Sequence, residues 1–149
     1  MAKKVEFTQA DVGLAEPLFA TLHETPSRWE RISGNERWLK IEPVPSTGDF
    51  DLAMHLSPNG MRVVINTTKV EPGKAFGPTL AQRGVRTPTG WQLVTDVGWV
   101  LGWMAPSATP LTDIVNFGFR VAQSVGAGGG IWRATLEKRQ PDPSARVRV

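Results

Sequence analysis

Apolar and polar residues alternate without a break from Phe50 to Leu56, which is the pattern of a strand with one buried face. Asn59-Gly60 follows as a type I′ hairpin turn, because both central residues of that turn need a positive φ. Pairing outward from the turn sets two apolar pairs on one face, Leu56 with Val63 and Met54 with Ile65. Turn chemistry and hydrophobic pattern together predict one hairpin in one register.

Residues 91–105 predict a second hairpin, closed by Asp96-Val97-Gly98 with Gly98 in the left-handed conformation. Its predicted pairs on one face are Leu93 with Leu101, Trp91 with Trp103 and Thr95 with Trp99. The other face carries Val94 opposite Val100, so both faces are apolar. We expect such a pair in the centre of a sheet, or covered on one side by a partner.

Helical periodicity first appears between Thr8 and His23. Thr8 and Asp11 make a start that resembles a capping box. Because Pro17 lies inside the segment, the helix is expected either to kink or to begin near Glu16. Its predicted apolar face consists of Leu14, Leu18 and Leu22, with Val12, Ala15 and Phe19 beside them.

A second helix is predicted from Thr109 to Val125, with Thr109 as its N-cap and Pro110 at its first position. Gly118 lies on the apolar face, where the missing side chain would let the helix approach a sheet closely. Gly126 follows as the expected C-terminal cap.

Further strands are predicted over residues 36–42, ended by Pro43 and Pro45, and over 131–137. The segment from Val70 to Thr89 is rich in glycine and proline and predicts a long loop with a short helix near residues 78–83. A long irregular loop in a small domain is often a binding element.

The order of elements predicts an α+β fold, with an antiparallel sheet of about five or six strands and the N-terminal and late amphipathic helices packed on one face. Residues 1–137 are expected to form a single domain, and 138–149 a basic C-terminal tail that contains proline.

The amino-acid composition excludes several kinds of functional site. The chain of 149 residues has no cysteine and two histidines, which excludes disulfides, thiol catalysis and thiolate metal sites and leaves no His-rich site, so no cofactor or metal is expected. The apolar stretches are short and no signal peptide is evident, so a cytoplasmic protein without a membrane partner is expected. The net charge of +3 indicates only a mild preference for anions.

No catalytic constellation emerges from the sequence. Asp51 and His55 share a strand face, but a polar residue on an exposed face explains each of them. The run Gly126–Gly130 follows a helix and leads to a strand, whereas phosphate-binding loops follow a strand and open a helix. We therefore expect that the protein is not an enzyme.

Six tryptophans and no tyrosine form the remaining signal. Three tryptophans share the predicted face of the second hairpin, where they are either core or a binding surface. With the preceding loop, the candidate partner-binding residues are Trp91, Trp99, Trp103, Phe76, Arg83 and Arg86. Residues 91–105 contain no Arg or Lys, which counts against a base-stacking platform and disfavours nucleic acid as the partner.

Basic residues are concentrated only at the C-terminus. Lys138, Arg139, Arg146 and Arg148 are the candidate nucleic-acid contacts, and a solvated tail is the alternative interpretation.

The layout of the chain resembles the YbjN and type III secretion chaperone-like superfamily of small bacterial α+β domains. The likeness spans residues 8 to 137 and depends on the element order and on Trp91–Met104 leading through Leu111-Thr112-Asp113 into an amphipathic helix. The Pro- and Gly-rich segment 70–90 departs from the compact helix expected there. The resemblance implies a non-enzymatic role in peptide or protein binding, often as a dimer.

Three functions stay open at this point. The first is a protein- or peptide-binding adaptor or chaperone-like module. The second is a structural subunit of a larger assembly, such as a phage tail or neck, which makes a homo-oligomer possible. The third is weak nucleic-acid binding through the basic tail.

Overall fold

The computed structural model describes residues 3–71 and 74–140. Within these residues a single antiparallel sheet has seven strands in the order β1-β7-β2-β3-β4-β6-β5. The strands are β1 (Lys4–Phe7), β2 (Glu36–Val44), β3 (Phe50–Ser57), β4 (Gly60–Thr67), β5 (Gln92–Asp96), β6 (Val100–Ala105) and β7 (Ile131–Arg139). The helices are α1 (Glu16–Thr21), α2 (Arg28–Ser33), α3 (Gly77–Gln82) and α4 (Leu111–Ser124), and a 3-10 segment spans Gln9–Ala15.

The predicted α+β class is confirmed, with one more strand than the upper expectation. The core lies on one face of the sheet, where alternate strand residues meet the buried side of α4. Gly118 of α4 sits so close to the sheet that a Cβ there would lie 2.7 Å from Leu52 Cδ2. The predicted role of Gly118 therefore holds.

The N-terminal helix begins at Glu16, one of the two expected outcomes, because Pro17 fits the first turn of a helix but not its interior. The preceding residues form 3-10 turns with a kink at Asp11. Thr8 makes no capping bond to the backbone and instead donates to the Asp11 carboxylate at 3.1 Å. Leu14 consequently leaves the predicted apolar face and is exposed.

The first hairpin forms, but its predicted register is wrong by two residues. Met54 pairs with Val63, and Ser57 pairs with Gly60 across a Pro58-Asn59 loop. No non-glycine residue in the described ranges has a positive φ, so Asn59 cannot serve in a type I′ turn. A shift of two residues preserves the buried face, because side chains alternate with a period of two.

Two strands extend beyond their predicted ends. β2 includes Pro43 and stops at Val44. β7 continues to Arg139, which pairs with Glu36. Lys138 and Arg139 therefore belong to the sheet and not to the predicted tail.

The second hairpin ends the sheet, with β6 next to β4 and β5 as the edge strand. Of the two expected positions, the centre of the sheet is therefore wrong, and coverage of one side by a partner stays a prediction. Leu93 pairs with Trp103, and a bulge follows before Thr95 pairs with Gly102. Asp96 belongs to the strand and not to the predicted loop, because the chain turns only after Val97. The Val97 N–H donates to the Val100 carbonyl at 3.1 Å. Gly98 has φ 80°, as its predicted left-handed conformation requires.

Both segments that flank this hairpin are helical. The short helix predicted near residues 78–83 is α3. In α4, the residue before the helix is Pro110 in an extended conformation, so Thr109 is not the N-cap. The buried Thr109 hydroxyl donates to the Pro106 carbonyl at 2.6 Å instead.

The turn at Gly98 generates a stability prediction. A Cβ at Gly98 would collide with the Glu71 carbonyl oxygen and lie 2.6 Å from that of Lys74, both backbone atoms that cannot rotate away. We expect Gly98→Ala to lower the free energy of unfolding by about 3 kcal/mol or more. Gly84→Ala, at φ 82° with nothing within 4 Å, is the matched control and should lose only about 1–2 kcal/mol. Equal losses in urea denaturation would contradict this close packing of Glu71 and Lys74 on the hairpin.

Candidate binding surfaces

β5 is an edge strand whose outer side is unpaired among residues 3–71 and 74–140. All four side chains from Gln92 to Thr95 are exposed. Edge strands are usually protected by Lys, Pro or other charges, yet Asp96 is the sole charged residue in the span 91–105. The β-bulge after Leu93 is the one protective device here.

An apolar cleft of about 290 Å³ opens beside this strand. Leu93 of β5 forms one wall, and α3 with the segment after it forms the other. The remaining lining residues are Gly77, Pro78, Leu80, Ala81, Val85 and Thr87, over a floor of Trp103 and Phe117. Because Leu93 of the edge strand lines the cleft, a strand added outside β5 would lie next to it.

The floor of the cleft is rigidly packed. Trp103 is 2% exposed and meets Phe117 edge to face, with ring centroids 4.9 Å apart. Trp91 packs on Phe117 in the same manner at 5.1 Å. The Trp103 indole N–H donates to the Thr87 hydroxyl at 3.3 Å. The cleft is thus preformed, because its floor is fixed on two sides.

Asp96 joins the two walls of the cleft. Its carboxylate accepts the backbone N–H groups of Phe76 and Gly77, each at 2.7 Å. These are donors at the N-terminus of α3 that have no partner within the helix, so the strand residue caps the helix. The position of α3 over the sheet therefore depends on this carboxylate.

The six predicted partner-binding residues differ in burial and do not form one exposed surface. Trp103 and Phe76 are buried in the core, Trp91 is half-buried, and Trp99 is 50% exposed. The Arg83 guanidinium lies over the Phe76 ring and donates to the Ser124 carbonyl at 2.8 Å, so it ties α3 to the end of α4. Arg86 is exposed. The cleft wall at Leu93 was missed because the predicted register placed that residue opposite Leu101.

The four predicted nucleic-acid contacts also lie in different environments. Lys138 is exposed in β7, whereas the Arg139 guanidinium lies 4.9 Å from the Trp38 ring and binds Glu137 at 2.9 Å. Arg146 and Arg148 lie outside the described residues.

No described helix packs on the second face of the sheet, where the charges largely pair with one another. Lys40 bridges Glu42 at 3.0 Å and Glu137 at 3.3 Å. Trp38 is only 5% exposed, because Arg62, Arg139 and His55 cover its ring. A face satisfied in this way offers few free groups to a partner.

The candidate catalytic residues Asp51 and His55 lie on this second face and are also paired. His55 Nδ1 lies 2.8 Å from the Arg37 carbonyl oxygen and its Nε2 lies 3.3 Å from Glu36 Oε2, so both ring nitrogens are engaged. Burial raises the pKa of Asp51, while the Asn66 amide donates to it at 3.1 Å. In the described ranges, no three His, Asp or Glu side chains are grouped to hold a metal. None of the helices formed by these residues is long and apolar enough to cross a bilayer.

Helix α2 is an element that the sequence analysis missed, although Ser27-Arg28-Trp29-Glu30 is a capping-box signature. The Ser27 hydroxyl accepts the Glu30 N–H, and the Glu30 carboxylate accepts the Ser27 N–H, both at 3.2 Å. Glu30 is 8% exposed and receives two bonds of 2.6 Å from the Arg37 guanidinium. Arg37 also donates to the Thr21 carbonyl at 2.7 Å, which fixes α2 to the end of α1.

Comparison with known proteins adds no relative to this description. No family model, curated protein or solved structure matches the chain.

The cap at Asp96 generates a second prediction. Asp96→Ala leaves two partly buried N–H groups without acceptors, so we expect a loss of about 1–3 kcal/mol in the free energy of unfolding. Hydrogen exchange at Phe76 and Gly77 should accelerate. Asp113→Ala, which removes an exposed acid from the first turn of α4, is the control and should cost less than about 1 kcal/mol. Unchanged exchange at Phe76 in the Asp96 variant would contradict the cap.

The Glu30–Arg37 pair predicts a pH dependence. The bond from Arg37 is the main reason that the pKa of Glu30 falls from 4.5 to about 2. A depressed folded pKa gives stabilisation that is present above pH 4.5 and is lost as the pH falls towards 2. We expect Glu30→Gln to lose about 2 kcal/mol at neutral pH and to flatten this acid limb. Glu71→Gln, at a 70% exposed carboxylate, should keep the wild-type profile. A Glu30→Gln profile parallel to wild type would refute the assignment.

Proposed function

We propose that the protein is a non-enzymatic adaptor or chaperone-like module that binds an extended polypeptide segment along the outer edge of β5. The observation that carries the proposal is the apolar cleft directly beside an edge strand that lacks the usual protection. The engaged ring of His55 and the absence of a grouped metal site in the described ranges favour binding over catalysis.

Strand addition supplies both affinity and selectivity. Main-chain hydrogen bonds to the free edge hold the segment, and pockets for alternate side chains read its sequence. Because Leu93 points from β5 into the cleft, side chains on the same face of an added strand would approach the same cavity. The segment is therefore expected to place one apolar side chain there.

The size of the cleft favours a side chain as its occupant. Small-molecule sites usually measure about 300–1,000 Å³ and combine apolar walls with several convergent polar groups. This cleft, at about 290 Å³, falls at the lower limit, and Thr87 is its one polar lining side chain.

The charge near the cleft indicates which segments would be preferred. Arg86 lies between Val85 and Thr87, which both line the cavity. Asp96, the acid of the hairpin, is occupied by backbone N–H groups. We expect an acidic residue next to the apolar anchor of the bound segment, and weaker binding at high salt.

The chaperone-like resemblance gives further support. It implies an N-terminal helix, an antiparallel sheet and a late helix packed across it, and α1, the sheet and α4 follow that order. β1, which precedes the span 8–137, and the glycine- and proline-rich segment 70–90 depart from it.

A display library of random twelve-residue peptides selected on the immobilised protein tests the proposal. We expect enriched sequences with an apolar residue next to an acid, and amide protection in β5 when such a peptide binds. Leu93→Glu and Ala81→Glu, both at exposed lining positions, should each weaken binding at least about tenfold.

Ile131→Glu is the matched control, because Ile131 is an exposed apolar residue on β7, far along the strand order from β5. It should bind the peptides as wild type does. Peptides that bind the two cleft variants and wild type equally, or that leave β5 amides unprotected, would exclude strand addition.

The structural-subunit alternative would use the same edge, with β1 and β5 as the two edge strands of the sheet. Size-exclusion chromatography with light scattering separates the two functions. A monomer at high concentration supports the peptide-binding module, and a ring or higher oligomer that Val94→Lys dissolves supports the subunit.

A further inference from the structure

Helix α2 presents two large apolar side chains to solvent. Trp29 is 78% exposed and Ile32 is 67% exposed. At 3.6 residues per turn these two residues and Arg28 share the outward arc, with Arg31 at its margin, while the buried Glu30 lies opposite. An indole with more than three quarters of its surface exposed cannot sit in a groove, so this outward face is convex.

The protein holds this exposed face firmly in place. Six residues are too few for an independently stable helix. The capping box, Gly34 in the left-handed conformation at the C-terminus and the Glu30–Arg37 pair together fix α2. Exposing Trp29 and Ile32 contributes nothing to the core, so the rigid presentation indicates a contact outside the chain.

Two positive charges lie on the same face, because Arg28 and Arg31 are both exposed beside the apolar pair. The cleft behind the helix is balanced in charge: it is lined by three basic residues, Lys3, Arg37 and Lys138, and by three acidic ones, Glu24, Glu30 and Glu137. The positive charge of the outward face therefore comes from the two arginines.

The sequence led us to expect no membrane partner, because no segment is long and apolar enough to span a bilayer, but that argument does not cover binding at a bilayer surface. We propose that the outward face of α2, formed by Arg28, Trp29, Arg31 and Ile32, is a docking surface for an anionic lipid bilayer. Trp and Ile enter the boundary between headgroups and acyl chains, where Trp is enriched. The arginines reach lipid phosphates and carboxylates, since their apolar stems can lie along the boundary with the charge in water.

Other occupants fit the face less well. A six-residue helix with two apolar side chains offers far less area than the roughly 800 Å² per partner of a stable protein interface. A second copy that placed Trp29 in the β5 cleft would bring Arg28 and Arg31 towards Arg86, a like-charge contact. Nucleic acid would stack on Trp29 but would leave Ile32 exposed.

Vesicle sedimentation tests the proposal with the full chain. We expect binding to phosphatidylcholine vesicles that contain about one third phosphatidylserine and little binding to pure phosphatidylcholine, with affinity falling as salt rises. Trp29→Ser with Ile32→Ser should lower the partition coefficient about tenfold or more. Arg28→Gln with Arg31→Gln should lower it about fivefold per arginine.

Val94→Ser with Trp99→Ser is the matched control, because it removes a comparable exposed pair at the β5 edge. It should leave vesicle binding unchanged, and the α2 variants should bind the selected peptides as wild type does, so this proposal and the peptide-binding function fail separately. Lipids brominated in the acyl chains should quench part of the tryptophan emission of the wild-type protein. This quenching should be lost in Trp29→Phe, because the quenched emission comes from Trp29.

Three results would overturn the proposal. The first is equal binding to neutral and anionic vesicles, and the second is vesicle binding that the α2 variants retain. The third is an absence of vesicle binding; retention on a single-stranded thymidine oligonucleotide that the α2 variants lose would then assign the face to nucleic acid.

Discussion

The close approach of α4 to β3 is the constraint on which the rest of the structure depends. Without a side chain at Gly118, the helix can bury its apolar face against Leu52 at the middle of the sheet. One helix of 14 residues cannot also cover a seven-stranded sheet from edge to edge. The flanks must therefore be covered by short elements, α1 with the 3-10 segment on one side and α3 on the other, and the apolar cleft opens where α3 meets β5.

One-sided burial also determines the character of the second face. Residues there alternate with core residues along every strand, so each must find a partner on the surface itself. Lys40, Glu42 and Glu137 do so by ion pairing, and Trp38 does so by lying under two guanidinium groups and against His55. Such pairs add little stability when they are exposed to solvent. Their consequence is a face with few unsatisfied groups, and this leaves the edge and the helix ends as the places where a partner can gain free energy.

The sequence predicted correctly those features that depend on neighbouring residues in the chain. Its predictions were wrong for features that depend on contacts between distant segments. Gly118, Gly98 and the start of α1 at Glu16 were predictable, because each follows from a backbone or steric rule. The hairpin register was not, because Pro58 and the close approach of Gly60 to Ala105 on β6 displaced the expected turn. The edge position of β5 was also hidden, since an apolar strand in a sheet centre and an apolar edge open to a partner have the same pattern.

The two proposed binding surfaces, the β5 edge with its cleft and the outward face of α2, are each built on a short helix. Helices α2 and α3 each have six residues, and a carboxylate caps the N-terminal end of each. Glu30 within α2 accepts one backbone N–H, and Asp96 from β5 accepts two at the start of α3. Each helix places apolar side chains beside exposed arginine at a margin of the sheet. The capping bonds help to hold both helices, because six residues alone do not repay the cost of starting a helix. Leu80 of α3 belongs to the core, so packing also explains that helix. Trp29 and Ile32 of α2 contribute nothing to the core. Their position is explained if α2, with its apolar and cationic face, is what the fold presents to a partner.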